Sequence, residues 1–191
     1  MAAPATDAAL RDDVVLLDAA GDPIGEHPRA EVHTRHTPLH LAFSLYLYND
    51  DGELLLTRRA LSKRTWPGVW TNTCCGHPRP GEDMESAIGR RLNDELGMDV
   101  LALECVLPDF SYRAVDASGI VENEVCPTYR GRLAHPNSSV KANPDEVMDW
   151  KWVKWDYITE AARQAPFLLS PWSTRQLEQL DQFDQLDQLA I

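Results

Sequence analysis

The sequence predicts a single α/β domain. Short apolar runs bounded by Gly, Pro, Asn and Asp recur between Val14 and Trp155 and read as strands. From Glu82 to Met98 the apolar residues Met84, Ala87, Ile88, Leu92, Leu96 and Met98 recur at three- and four-residue steps, the pattern of an amphipathic helix. The chain has 191 residues and is 43% hydrophobic, enough to bury one core.

Taken in order, residues 1–12 are small and polar and form a loose lead-in. Val14–Leu17 is a strand, turned by Gly21-Asp22-Pro23 into a second short strand around Ile24. A loop with three histidines, His33, His36 and His40, leads into one bulky apolar strand over 41–48. Asn49-Asp50-Asp51-Gly52 then turns it back into Glu53–Arg59. Gly76 to Gly81 is a Gly/Pro loop, and Gly97 stops the helix that follows. Arg91 and Glu95 are four apart on its charged face, where they read as a surface ion pair of little energetic consequence.

Further strands are expected over 100–107, 110–114 and 120–133, and again at 146–147 and 150–155. A helix over 156–164 takes Asp156 as its cap, and Ser170-Pro171 opens the last helix. From Leu177 an apolar residue stands at every third position to Leu189, a stripe that drifts around a helix and suits a short docking tail. The organisation expected is 1–28 as lead-in and first strands, 29–176 as the main domain, and 177–191 as a helical tail.

A formal charge of −12 leaves no surplus of Lys and Arg to neutralise phosphates, which disfavours nonspecific nucleic-acid binding, and no nucleic-acid partner is expected. The same acidity means that an anionic substrate needs a divalent metal or locally gathered basic residues. The first residues lack the basic start and apolar core of a signal peptide, and no apolar run is long enough to span a bilayer, so a cytoplasmic protein that does not engage membranes is expected. Four unevenly spaced cysteines, at 74, 75, 105 and 126, read as free thiols.

The stretch 66–98 packs two adjacent cysteines, a histidine, a Gly/Pro loop and an acidic helix into one segment. Glu122 and Glu124 are two apart on a strand and point to one face, either as paired cation ligands or as solvated charges of an edge strand. Gly76, Glu82, Arg90, Leu92, Glu95, Gly97 and Met98 fall on the spacing of the Nudix box, G-x5-E-x7-R-E-U-x-E-E-x-G-U. Arg91 and Asp94 stand where the box has glutamates. Leu39–Ser44, Thr57–Lys63, Trp66–Asn72, Cys75–Pro78 and Gly119–Pro127 together resemble type I isopentenyl-diphosphate isomerases over about residues 29–172.

That resemblance implies a Nudix-type α/β/α sandwich with a central mixed β-sheet, and proton transfer on a small diphosphate. His33, His40, His77, Glu122 and Glu124 are implied as ligands of one divalent ion, Mn, Mg or Zn, a donor set that suits a borderline cation. A Mg ion held by the diphosphate, Glu95 and the Cys75 carbonyl is implied as a second. Arg29, Arg59, Lys63 and Arg91 are the corresponding anion contacts, and Arg91 in place of a hydrolase carboxylate suits phosphate binding. Cys75 and Glu124, the latter with Tyr112, are implied as the acid/base pair. Trp172, in Ser170-Pro171-Trp172, is implied to stabilise a carbocation, with core packing as the other reading. The remaining tryptophans are expected in the core or pocket wall, and Cys74, Cys105 and Cys126 as structural thiols. A monomer or weak homo-oligomer is expected. The alternative is a Nudix hydrolase of a nucleoside diphosphate derivative.

Overall fold

A computed structural model describes residues 12–135 and 138–189, with side chains as far as residue 182. The lead-in 1–11 and the side chains of Phe183, Leu186 and Leu189 therefore lie outside the described residues.

Two runs expected as single strands are each divided between two sheets. Residues 40–48 form β3 (His40–Leu41) and β4 (Phe43–Tyr48), and residues 121–133 form β10 (Val121–Val125) and β11 (Thr128–Leu133). Pro127 has no N–H to continue a ladder, and the pairs part company there. The Ala42 N–H donates to Val125 O (2.9 Å) in one sheet and the Ser44 N–H to Pro127 O (3.1 Å) at the entry to the other. Both divided runs pair in parallel, β10 with β3 and β11 with β4, so both sheets are mixed.

The first sheet runs β2-β1-β3-β10-β9, with β1 over Asp13–Leu17, β2 over Pro23–Pro28 and β9 over Ser111–Val115. The second runs β12-β5-β4-β11-β8, where β5 is Glu53–Arg59, β8 Val100–Leu107 and β12 Val147–Lys154. Two short strands, β6 (Trp70–Thr71) and β7 (Cys74–Gly76), stand where the sequence predicts loop and pair with β5 and β4. A four-residue helix, α1 (Arg29–Val32), was also not expected.

Helices cover both faces of the second sheet, which is the expected α/β/α sandwich. Along β4 the alternation of side chains sends Phe43, Leu45 and Leu47 to one face and Tyr46 to the other. The first three meet Ala87, Ile88, Leu92 and Leu96 of α2 (Met84–Leu96). Tyr46 joins Leu54 and Leu56 against Ile158 and Ala162 of α3 (Trp155–Gln164) and Leu177 and Leu180 of α4 (Pro171–Leu189).

The ends of α2 are set locally. The Asp83 carboxylate accepts from Ser86 N, and Gly97 adopts φ 61°, where a side chain is unfavourable, while its N–H reaches Asn93 O. At α3 the expectation fails: Lys154 precedes the helix without a side-chain cap and Asp156 lies in its first turn. The helix begins at Trp155, one residue earlier than expected, directly after β12 ends at Lys154. Trp150 on this edge strand is exposed, at 36%, rather than in core or pocket wall, and Cys105 on edge strand β8 is exposed too. All four cysteines are free.

Candidate active site

The two-sheet arrangement brings distant residues into one row. In the first sheet Glu124 of β10 is in register with His40 of β3 on one side and with Tyr112 of β9 on the other. The short helix α1 delivers His33 at its C-terminal end, and β7 delivers His77 one residue beyond Gly76. One ligand atom from each of His33, His40, His77 and Glu124 falls within 4.8 Å of all the others.

The distances describe a site built for a cation. Glu124 Oε1 lies 3.1 Å from His77 Nε2, 3.4 Å from His40 Nε2 and 3.9 Å from His33 Nε2. The two ring nitrogens of His40 and His77 are 3.2 Å apart. His40 Nδ1 is 3.0 Å from Pro38 O, which only accepts; Nδ1 therefore donates there and Nε2 is the ring atom that faces the cluster. Glu122 Oε1 accepts from the Thr65 hydroxyl (2.6 Å), and its Oε2 lies 2.8 Å from His33 Nε2. Both atoms of that ion pair are buried, and neither has a hydrogen-bond partner. Buried orphans of opposite character aimed into a His/carboxylate cluster fit a divalent ion.

Without an ion the cluster is electrostatically uneven. Burial holds His77 down at about 4, aided by His40 and His33 and opposed by Glu124. Burial acts on His33 in the same direction, but Glu122 and Glu124 outweigh it and raise it to about 9. Glu124 is held well below the carboxylate range: burial pushes it up, and its contacts with His33, His40 and His77 overcome this.

Beside the cluster is a cavity of about 270 Å³. Cys75, Tyr112, Glu122, Glu124 and Trp172 line it, as do His33, His77, Arg29, Arg59, Lys63 and Arg91. His40 and Glu95 are not in its lining; His40 is fully buried and Glu95 sits on the buried face of α2. Strand alternation settles the adjacent cysteines. Cys74 packs with the α2 core while Cys75 faces the cavity, its sulfur 3.2 Å from Asn72 Oδ1 and 3.4 Å from Ser44 Oγ. Burial pushes the Cys75 thiol up to about 11.

The apolar wall is aromatic. Trp66 meets Trp172 edge-on (5.4 Å, 89°), and Tyr112 lies 5.6 Å from Trp172. Trp66 adopts φ 43°, a left-handed conformation costly for a bulky residue, and its N–H donates to Asp116 Oδ2 (2.8 Å). Arg59 stacks over Trp172 at 5.3 Å and donates to Thr65 O.

Three of the four basic residues expected to meet an anion, all but Arg59, are engaged by carboxylates. Lys63 pairs with Glu146, and Arg91 pairs with Glu95 and, at 3.2 Å, with Glu146. Arg29 pairs with Asp12 (2.7 Å) at the more exposed rim. With side chains only 12% and 9% exposed, Arg91 and Glu95 are not the surface pair expected from sequence. Sequence reading missed Asp12, Thr65, Arg90 and Glu146 as cavity residues. Glu146 meets Lys63 across 83 positions, a separation that no periodicity reports. Thr65 sits between two quoted motifs, and its proximity to them was the available signal.

The fold, the box helix and the His/carboxylate cluster define a NUDIX domain, whose family profile matches residues 38–172. A Deinococcus radiodurans crystal structure shares the fold at TM-score 0.60 and 18% identity, over 80% of this chain and 90% of that one. An isopentenyl-diphosphate Delta-isomerase of Frankia alni is 54% identical over 91% of this chain and 88% of its own length. One of Paenarthrobacter aurescens is 58% identical over 83% of this chain and 85% of its own. The chain belongs to the isopentenyl-diphosphate Delta-isomerase family of NUDIX proteins.

Proposed function

We propose that the chain is an isomerase that interconverts isopentenyl diphosphate and dimethylallyl diphosphate, a step of isoprenoid biosynthesis. The observation that carries this reading is that Cys75 and Glu124 open onto one cavity walled by Trp172 and Tyr112 beside the metal-type cluster, with Trp66 packed edge-on against Trp172. The reaction adds one proton to the terminal alkene carbon and removes one from the allylic methylene across the tertiary carbon, so it needs two acid/base groups and no net reagent.

Cys75 and Glu124 are those two groups, with Tyr112, in register with Glu124, beside the carboxylate. The positive charge that develops on the tertiary carbon faces the Trp172 indole, whose quadrupole favours a cation. Walls of Trp172 and Tyr112, with Trp66 packed against Trp172, keep water from that carbon. Arg59, Lys63 and Arg91, with Arg29 at the rim, take the diphosphate, and for Lys63 and Arg91 the bound anion competes with Glu146 and Glu95.

NUDIX domains bind divalent metals, and His33, His40, His77, Glu122 and Glu124 would hold one such ion, Mn, Mg or Zn, with Glu95 and the Cys75 carbonyl holding Mg with the diphosphate. A bound cation supplies charge that makes a carboxyl ligand more acidic and neutralises the substrate anion. No described helix is long and apolar enough to cross a membrane. The reading is of a cytoplasmic monomer or weak homo-oligomer that acts on a small diphosphate and not on nucleic acid or a membrane.

The test is turnover of isopentenyl diphosphate by purified protein with Mg and Mn, beside Cys75→Ala and Glu124→Gln. Dimethylallyl diphosphate formed by wild type and lost in both variants supports the reading. Phosphate release from nucleoside diphosphate derivatives, with no isomer formed, overturns it in favour of hydrolysis.

A further inference from the structure

Behind the cavity wall is a buried polar network that the reaction itself does not call for. Asn72 is fully buried. Its Nδ2 donates to Leu45 O (3.1 Å) and Cys74 O (2.9 Å), two groups that only accept. Its Oδ1 takes the Trp172 indole N–H (3.0 Å), which only donates. The amide orientation is therefore locked from both ends. The same oxygen receives the Cys75 thiol (3.2 Å) and the Thr71 hydroxyl (2.8 Å).

A second arm reaches the sulfur from α4. Gln176, fully buried, accepts from the Tyr46 hydroxyl on Oε1 (3.0 Å) and donates Nε2–H to Ser44 Oγ (2.9 Å). With its oxygen receiving Gln176, Ser44 has its own hydrogen free for a sulfur, and Cys75 Sγ and Cys126 Sγ each lie at 3.4 Å. Ser44 is in register with Cys75 on the neighbouring strand, so the contact is set by the β4–β7 pairing. An apolar core at this depth would cost less to build than a polar network that demands every partner.

We propose that Asn72, Ser44 and Gln176 are positioning residues that clamp the Cys75 sulfur and the Trp172 indole in fixed relation around the hydrocarbon half of the substrate; the proposal rests on the isomerase reading. Asn72 joins the two groups directly, through one oxygen. Ser44 closes the other side of the sulfur and ties it through Gln176 to the helix that carries Trp172. None of the three residues is among those lining the cavity, so they act through Cys75 and Trp172 and leave the diphosphate contacts untouched.

The deciding experiment compares Ser44→Ala and Ser44→Thr in isomerase turnover with saturating metal. Threonine keeps the hydroxyl and adds a methyl to a fully buried site, whereas alanine removes only the hydroxyl, so a packing role and a hydrogen-bonding role predict opposite orders. A clamp predicts that Ser44→Ala lowers kcat about 10–100-fold with KM within about twofold, because sub-ångström misplacement of a reacting group costs that much, while Ser44→Thr stays nearer wild type. Asn72→Ala is expected to lower kcat at least as far and to shift the Trp172 indole N–H resonance in the 15N spectrum. Ser44→Ala with wild-type kcat, or with Ser44→Thr the worse of the two, overturns the clamp; if Asn72→Ala does not fold, the serine pair decides. A wild type that forms no isomer overturns the isomerase reading instead, and an Asn72→Ala spectrum with an unmoved Trp172 indole then separately overturns the clamp.

Discussion

Replacing Arg91 by methionine tests how the helix that carries the Nudix-box pattern is held. The Arg91 side chain is 12% exposed and bonded to Glu95, itself 9% exposed, with Glu146 at 3.2 Å. Removing one partner of a buried pair leaves a carboxylate without compensation, at a cost of about 3–5 kcal/mol; an exposed pair would lose no more than about 1 kcal/mol. Lys63 also acts on Glu95, which places the expected loss near the lower end. For a domain of 191 residues, each kcal/mol moves Tm by about 2–4 °C, so a loss of about 3 kcal/mol is expected to melt Arg91→Met roughly 6–12 °C lower. The assay is urea and thermal unfolding in chelator, with Glu95→Gln and the double variant completing a cycle. The double variant should recover much of the loss, because the stranded charge is gone. A loss below about 1 kcal/mol for Arg91→Met, or a double variant no more stable than it, refutes the reasoning.

Divalent metal should stabilise the fold by about 2.7 kcal/mol at a hundredfold excess over its Kd, measured by thermal shift with and without chelator. His33→Ala should abolish that shift; an unchanged shift would place the ion elsewhere. A Cβ on Gly76 would meet Arg91 Cγ at 2.7 Å and Phe43 Cζ at 3.0 Å, so Gly76→Ala should cost about 1–3 kcal/mol, and a wild-type melt would show the site to be slack. The Glu82 carboxyl is held below the usual carboxylate range, chiefly by hydrogen bonds from Arg90. Its folded value is depressed, so its contribution is present above the unfolded value of about 4.3 and is lost as pH falls through the folded value. Glu82→Gln should therefore flatten the acid limb of the stability profile; an unchanged limb removes Glu82 as its cause.

The sequence by itself determined what depends on neighbours along the chain. The stripe Ala87, Ile88, Leu92, Leu96 and the stop at Gly97 follow from helical periodicity and from the one residue that adopts a left-handed turn freely. The Ser170 start of α4, where the Ser173 N–H meets Ser170 Oγ, is local in the same sense. The motifs quoted for the family placed Cys75, His77, Glu122 and Glu124, and all four line one cavity. Tertiary structure alone decided where the strands part. Pro127 marks a break in one ladder, but nothing near Ala42 says that the first run changes sheets, and pattern along the chain does not report which strand each half pairs with. That change of sheet is what sets Glu124 between His40 and Tyr112. It was also tertiary structure that buried Arg91 against Glu95 and Glu146, turning a helix-surface pair into a costly internal one. Solvation, which fixes the worth of a charge, is a property of the assembled fold and not of any interval in the sequence.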